Sequence, residues 1–253
     1  MFTIIDTNKE LEENLKIIQN EDYIAIDTEF MREKTYFSKL CLIQIASKDH
    51  SFIIDPLSKD IDLKSFWKVI SKDTITKIIH SGRQDMEIFF QKFGQLPKSV
   101  YDTQIAAMVC GFGDQVSYEH LVNKLLNVKI DKSSRVSNWS FRPLSDKQIK
   151  YALSDVTYLV QVYEILKQEI SYQKRELWIK EEMENLSEIK NYIINTDEAW
   201  KKIKIKSSKR AYLNKVKFLA EWREKVSINK NVPRNKVIRD DTLLEIASMN
   251  PKN

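Results

Sequence analysis

The sequence predicts an α/β body built on a mixed sheet, followed by an all-helical C-terminal region. Three observations carry this: three strand-like stretches follow one another early in the chain, strand-like and helix-like stretches then alternate, and beyond Lys174 the apolar spacing is helical. With 253 residues, 42% hydrophobic and 30% charged, the chain can bury a sizeable core as one or two domains.

Tyr23 to Phe30 is an apolar run rich in β-formers, bounded by Asn20-Glu21-Asp22, and reads as a buried strand. Residues 35–47 and 51–56 read as two more, so an antiparallel meander is expected. Leu63 to Ser71 is helix-like and Thr76 to His80 strand-like. Asp85 to Phe93 places Met86, Phe89, Phe90 and Phe93 at helical spacing before the breaker Gly94. Val100 to Thr103 reads as a last strand, with helices over 104–110, 118–126 and 145–169. Lys129 to Pro143 lacks periodicity but carries Lys132, Arg135, Trp139 and Arg142; a loop of that length usually has a task. Helical spacing returns over 209–226 and 241–248, broken at Val232-Pro233. The expected division is a body over 1–172, a helical connector over 173–194 and a small helical domain over 195–253.

No apolar run approaches the roughly 18 residues of a membrane span, and Met1 to Glu13 carries acids with no apolar block of the secretory kind. A cytoplasmic protein with no membrane partner is expected. Cys41 and Cys110 lie far apart with no second cysteine at metal or redox spacing, so neither a disulfide framework nor a zinc site is supported. The net charge of +5 is unevenly spread: residues 1–199 hold 26 Lys and Arg against 31 acids, residues 200–253 hold 15 against 5. A basic appendage on an acidic body suits a nucleic-acid partner, although a solvated Lys-rich helix has the same composition.

Asp27 and Glu29 end an apolar strand two residues apart, so both side chains share a face. Two like charges so placed raise each other's pKa, and a divalent cation would compensate them; solvated acids at a strand end are the plain alternative. Asp85 opens an amphipathic helix, where a first-turn acid has its own structural reason. Tyr151 and Asp155 lie four apart and therefore on one side of a helix, as a packed Tyr and Asp also would. Together, four carboxylates from three separate elements offer oxygen ligands only. That suits Mg²⁺ or Mn²⁺, and two-metal phosphodiester hydrolysis is the chemistry that uses such a set.

The surrounding text, AIDTEFMREKTYFSKLCLIQIA (25–46), KIIHSGRQDMEIFF (77–90) and WSFRPLSDKQIKYALSDVTYL (139–159), resembles the three motifs of the DEDD 3′-to-5′ exonucleases in their tyrosine subgroup, the ribonuclease D family. The resemblance covers roughly residues 1–170 and implies an RNase H-like fold. It also implies Asp27, Glu29, Asp85 and Asp155 as metal ligands and Tyr151 as the phenol that positions water. By the same resemblance Phe30, Met31 and the backbone near Thr28 contact the terminal nucleotide, with Gln44 and Gly82 as further candidates. Ser38 and Ser117 depart from the family's usual proline and glycine without touching a proposed ligand.

The region from Trp200 onward is similar to the opening helices of an HRDC domain, the module that follows the nuclease in this family. Residues 200–239 hold 14 Lys and Arg against 2 acids, and Trp222 and Arg223 offer stacking on bases. The resemblance implies a metal-dependent exoribonuclease that releases nucleoside 5′-monophosphates from RNA 3′ ends, tRNA precursors among them; the sequence leaves the oligomeric state open, with a monomer favoured. A DNA exonuclease of the same fold and a catalytically silent RNA-binding module are the alternatives; the intact five-residue set argues against the second.

Overall fold

The computed structural model describes residues 3–249. One sheet contains β1 (Thr3–Ile5), β2 (Tyr23–Met31), β3 (Lys39–Ala46), β4 (Ser51–Ile54), β5 (Thr76–Ile79) and β6 (Val100–Asp102), in the order β1-β4-β3-β2-β5-β6. β1 pairs parallel with β4, β2 with β5 and β5 with β6, whereas β3 and β4 are antiparallel. The sheet is therefore mixed, and β2 lies in its interior.

The pleat sorts β2 into two faces. Ile24 and Ile26 pack with Leu11 and Leu15 of α1 (Asn8–Ile18), Phe66 of α2 (Lys64–Ile70) and Phe89 of α3 (Arg83–Phe93). Ala25 faces the other way, against Val156, Leu159 and Val160 of α6 (Asp146–Tyr172). Asp27 and Glu29 continue the Ala25 side. A further helical layer, α4 (Thr103–Val109), α5 (Tyr118–Leu126) and α7 (Glu176–Leu186), closes on α6 around Ala106, Leu121, Val162 and Leu166. α6 begins with a full capping box, the Ser145 hydroxyl accepting from the Gln148 amide and the Gln148 side chain accepting from the Ser145 amide, which fixes its start six residues before Tyr151.

The chain divides into two compact units: residues up to Met31 with Leu40–Tyr192, and Arg32–Lys39 with the residues from Ile193 onward. In the second unit α8 (Arg210–Lys230), α9 (Arg234–Val237) and α10 (Asp240–Met249) enclose Val216, Ala220, Leu243 and Ala247. Glu224 of α8 is buried with Arg234, whose Nη2 donates to it at 2.6 Å, and it accepts from the Tyr36 hydroxyl.

Three expectations are corrected. The strand expected over 35–47 begins at Lys39: the Tyr36 and Phe37 amides donate to Asn231 Oδ1 at 3.1 and 3.0 Å, so these β-formers serve a side chain and not a ladder. A short strand and a helix precede Tyr23 where none was read; the helix shows in Leu11, Leu15 and Ile18 at helical spacing behind the N-cap Thr7. Arg223 is buried and donates to Asp240 Oδ1 at 2.7 Å and to the Ile238 carbonyl at 3.0 Å, so it is withdrawn from stacking, while Trp222 stays exposed. No helix among the described residues is long and apolar enough to cross a membrane.

Candidate active site

β2 pairs with β5 as far as Ala25 opposite Ile78, so Asp27 stands just beyond the last paired residues, where β5 turns away. Period two aims Asp27 and Glu29 alike, and α6 crosses that face with Tyr151 and Asp155 one turn apart. One carboxylate oxygen from each of Asp27, Glu29 and Asp155 lies within 4.8 Å of the others. These three acids, half-buried, come from two elements, with Asp155 126 residues beyond Glu29 in sequence.

Asp85 sits in the first turn of α3 and is buried, with its Oδ1 accepting from the Thr28 hydroxyl. It thus neighbours the three-oxygen cluster without belonging to it. The turn that delivers it is clamped by Asp102, whose carboxylate accepts from the amides of Ser81 and Gly82, both at 2.9 Å, and of Gln104 at 2.8 Å. A Cβ at Gly82 would meet Ile79 Cδ1 at 2.3 Å, so only glycine lets the start of α3 pack on β5. His80 is engaged structurally, with Nδ1 2.9 Å from Thr103 Oγ1 and Nε2 3.2 Å from the Val116 carbonyl oxygen.

The electrostatics are those of acids short of counter-charge. Burial first, then Asp85, Asp155 and Glu29, push the Asp27 carboxyl well above the ordinary carboxylate range. Burial and the neighbouring acids raise Glu29 to about 9, against an opposing pull from Arg135. Burial raises Asp155 to about 7 although a hydrogen bond from the Tyr151 phenol works the other way, and burial raises Asp85 to about 6 against the Thr28 hydroxyl. Burial and the same carboxylates hold the Tyr151 proton on far above the usual phenol range. Oxygen-only donors with this unmet negative charge fit a hard divalent cation, which would reverse every one of these shifts.

A family model described as 3′-5′ exonuclease matches residues 2–171. The chain belongs to the 3′-5′ exonuclease family. A second model, the HRDC domain, matches residues 214–253. Ribonuclease D of Bartonella henselae is 45% identical over 252 residues, which is 100% of this chain and 62% of that protein; the chain therefore spans less than two thirds of this relative's length. The crystal structure of Escherichia coli RNase D, titled an exoribonuclease involved in structured RNA processing, superposes with a TM-score of 0.91 at 29% identity, over 100% of this chain and 68% of that one. Brucella melitensis NrnC with bound Mg²⁺ superposes with a TM-score of 0.64 at 27% identity, over 82% of this chain and 98% of that one. The first unit has the RNase H-like exonuclease fold.

Within this exonuclease fold, the remaining sequence candidates fall at different depths. Phe30 and Met31 are half-buried at the end of β2, Met31 against the cluster of Cys41, Leu42 and Trp139. Thr28 is buried and committed to Asp85. Gln44 is fully enclosed, with neither amide atom hydrogen bonded to another described residue. Sequence reasoning passed over Asp55, which receives both arms of the Arg142 guanidinium at 2.5 and 2.7 Å. Nothing local signals that pair, because 87 residues separate its members.

Proposed function

We propose that this chain is a divalent-metal-dependent 3′-to-5′ exoribonuclease that removes nucleoside 5′-monophosphates from RNA 3′ ends, tRNA precursors among them, and acts in the cytoplasm as a monomer. The observation that carries the reading is the meeting of Asp27, Glu29 and Asp155 beside Tyr151 on one face of β2 and α6. Likeness to proteins named ribonuclease D favours RNA, and the Mg²⁺ held by NrnC favours that ion or Mn²⁺.

In this reading Asp27, Glu29, Asp85 and Asp155 hold two divalent ions. Such ions, when bound, supply an activated water and a counter-charge at the leaving 3′ oxygen. Tyr151 keeps its proton at neutral pH, donates a hydrogen bond to Asp155, and leaves its oxygen lone pair to orient the attacking water. Phe30 and Met31 flank the terminal base, and backbone groups around Thr28 meet the 3′-hydroxyl. Gly82, at the start of α3, and Gln44, on β3, are the further candidates for substrate contact. The catalytic work is assigned to residues 1–172, with 173–194 as connector, while the basic surface of 195–253 draws in the RNA backbone.

The test uses 3′-labelled and 5′-labelled single-stranded RNA, and the same sequence as DNA, incubated with the protein in Mg²⁺, Mn²⁺ or EDTA. The expected result is metal-dependent release of labelled mononucleotide from the RNA 3′ end, with stepwise shortening of the 5′-labelled strand. Binding without cleavage in either metal would overturn the enzyme reading. Faster digestion of DNA than of RNA would overturn the substrate class.

A further inference from the structure

The loop over 127–145 has no regular structure, yet its C-terminal part is held by one side chain. Arg142 uses its whole donor fork: Nε and Nη2 donate to the Asp55 carboxylate at 2.5 and 2.7 Å, Nη2 also to the Cys41 carbonyl of β3 at 2.9 Å, and Nη1 to the carbonyls of Trp139 and Phe141, each at 2.8 Å. Asp55 is buried, and it also accepts from the Leu57 amide at 3.0 Å, so the anchor is fixed to the end of β4. Charge-assisted, bidentate contacts of this kind fix direction as well as distance.

What the fork holds is Trp139. Its ring is 2% exposed, packs with Cys41, Leu42 and Leu153, and lies 6.1 Å from the Tyr151 ring at an interplanar angle of 31°. The indole N–H has no hydrogen-bond partner among the described residues, and the ring's contacts are apolar ones, the Tyr151 ring among them.

We propose that Asp55, Arg142 and Trp139 are positioning residues that set the Tyr151 phenol over Asp155. The inference rests on the reading of Tyr151 as the group that orients water. The linkage is continuous: β4 holds Asp55, Asp55 holds Arg142, Arg142 holds the Trp139 backbone, and the indole walls the phenol ring. A displacement of about 1 Å at a reacting group can lower a rate by about 10², so loosening this wall slows chemistry without touching a metal ligand.

The experiment measures single-turnover hydrolysis of 5′-labelled RNA in Mg²⁺, RNA affinity and melting temperature for the full chain and for Trp139→Phe, Arg142→Lys, Tyr151→Phe and the two double variants that include Tyr151→Phe. The expected rates are about 10²-fold down for Tyr151→Phe and about 10-fold down for Trp139→Phe and Arg142→Lys. Each double variant should stay within about 2-fold of Tyr151→Phe alone, with RNA affinity unchanged. Wild-type rates for both Trp139→Phe and Arg142→Lys, or losses that multiply fully with that of Tyr151→Phe, would overturn the positioning role while leaving the exonuclease reading intact. A wild-type rate for Tyr151→Phe would overturn the water-orienting role and this inference with it. Should Trp139→Phe melt early, Arg142→Lys carries the same comparison.

Discussion

Two groups of enclosed carboxylates in this chain behave in opposite ways. Glu224, in the helical unit, is 1% exposed. Burial pushes its carboxyl up, but the Arg234 guanidinium and the Tyr36 hydroxyl together outweigh burial and leave it below its ordinary value. Glu29, more open to solvent, is driven the other way, to about 9. Burial raises both; at Glu224 the fold sets a hydrogen-bonded arginine against it, and at Glu29 it does not. A carboxylate given its own arginine is part of the scaffold, whereas three gathered with only the distant pull of Arg135 are arranged for a charge from outside.

The largest expected effect breaks the acidic side of this comparison. Asp27→Ala and Asp155→Ala should each lower single-turnover hydrolysis by 10³-fold or more, about 4 kcal/mol or more of transition-state stabilisation, while RNA binding by the basic helices persists. Filter binding beside the rate assay checks this, and near-normal turnover in either variant would end the ligand assignment. Next, Mg²⁺ should stabilise the wild type as it fills the site, by about 2.7 kcal/mol at a hundredfold excess over Kd, and should leave both alanine variants unmoved. Thermal melts over a metal titration read this, and an equal shift in all three proteins would place the ion elsewhere.

The scaffold side gives smaller effects. Glu224→Ala should destabilise the helical unit by about 1–3 kcal/mol, less than the roughly 3–5 of a fully buried pair because the Arg234 side chain is 35% exposed, and should spare the chemical step. Denaturant unfolding and the rate assay together test that separation. The smallest effect is the pH dependence of the same group. Its folded pKa lies below the ordinary 4.5, so its contribution is complete above that value and fades as pH falls through the folded one. The melting difference between wild type and Glu224→Gln should therefore shrink between pH 5 and pH 3. A difference that stayed constant over that range would contradict a depressed carboxyl.

Where function rests on short-range pattern, the sequence is readable. Asp27 and Glu29 share a face by the two-residue repeat of a strand, and Tyr151 and Asp155 share one by the turn of a helix, so both pairs are visible before any coordinates. Asp85 is visible only as a helix-opening acid; its tie to Thr28 crosses 57 residues. Gln44 stands in the sequence as a candidate contact for the terminal nucleotide, and its full enclosure is not visible there because sequence gives no depth. Tyr36 and Phe37 have strand composition, and only Asn231, far along the chain, draws their amides out of the sheet. β1 is three residues long, too brief to show alternation. Arg142 stands out in a loop without periodicity, but its purpose becomes legible only with Asp55 beside it.

The membership of Arg32–Lys39 in the helical unit also has a consequence for synthesis. Tyr36 leaves the ribosome early and Asn231 comes 195 residues later. At about 5–20 residues per second, that interval lasts about 10–40 s, during which the side chain that accepts from the two amides has not yet been made. The helical unit is thus assembled from an early segment and a much later one, and a nascent chain acquires it only after the strands on either side of that loop have been translated.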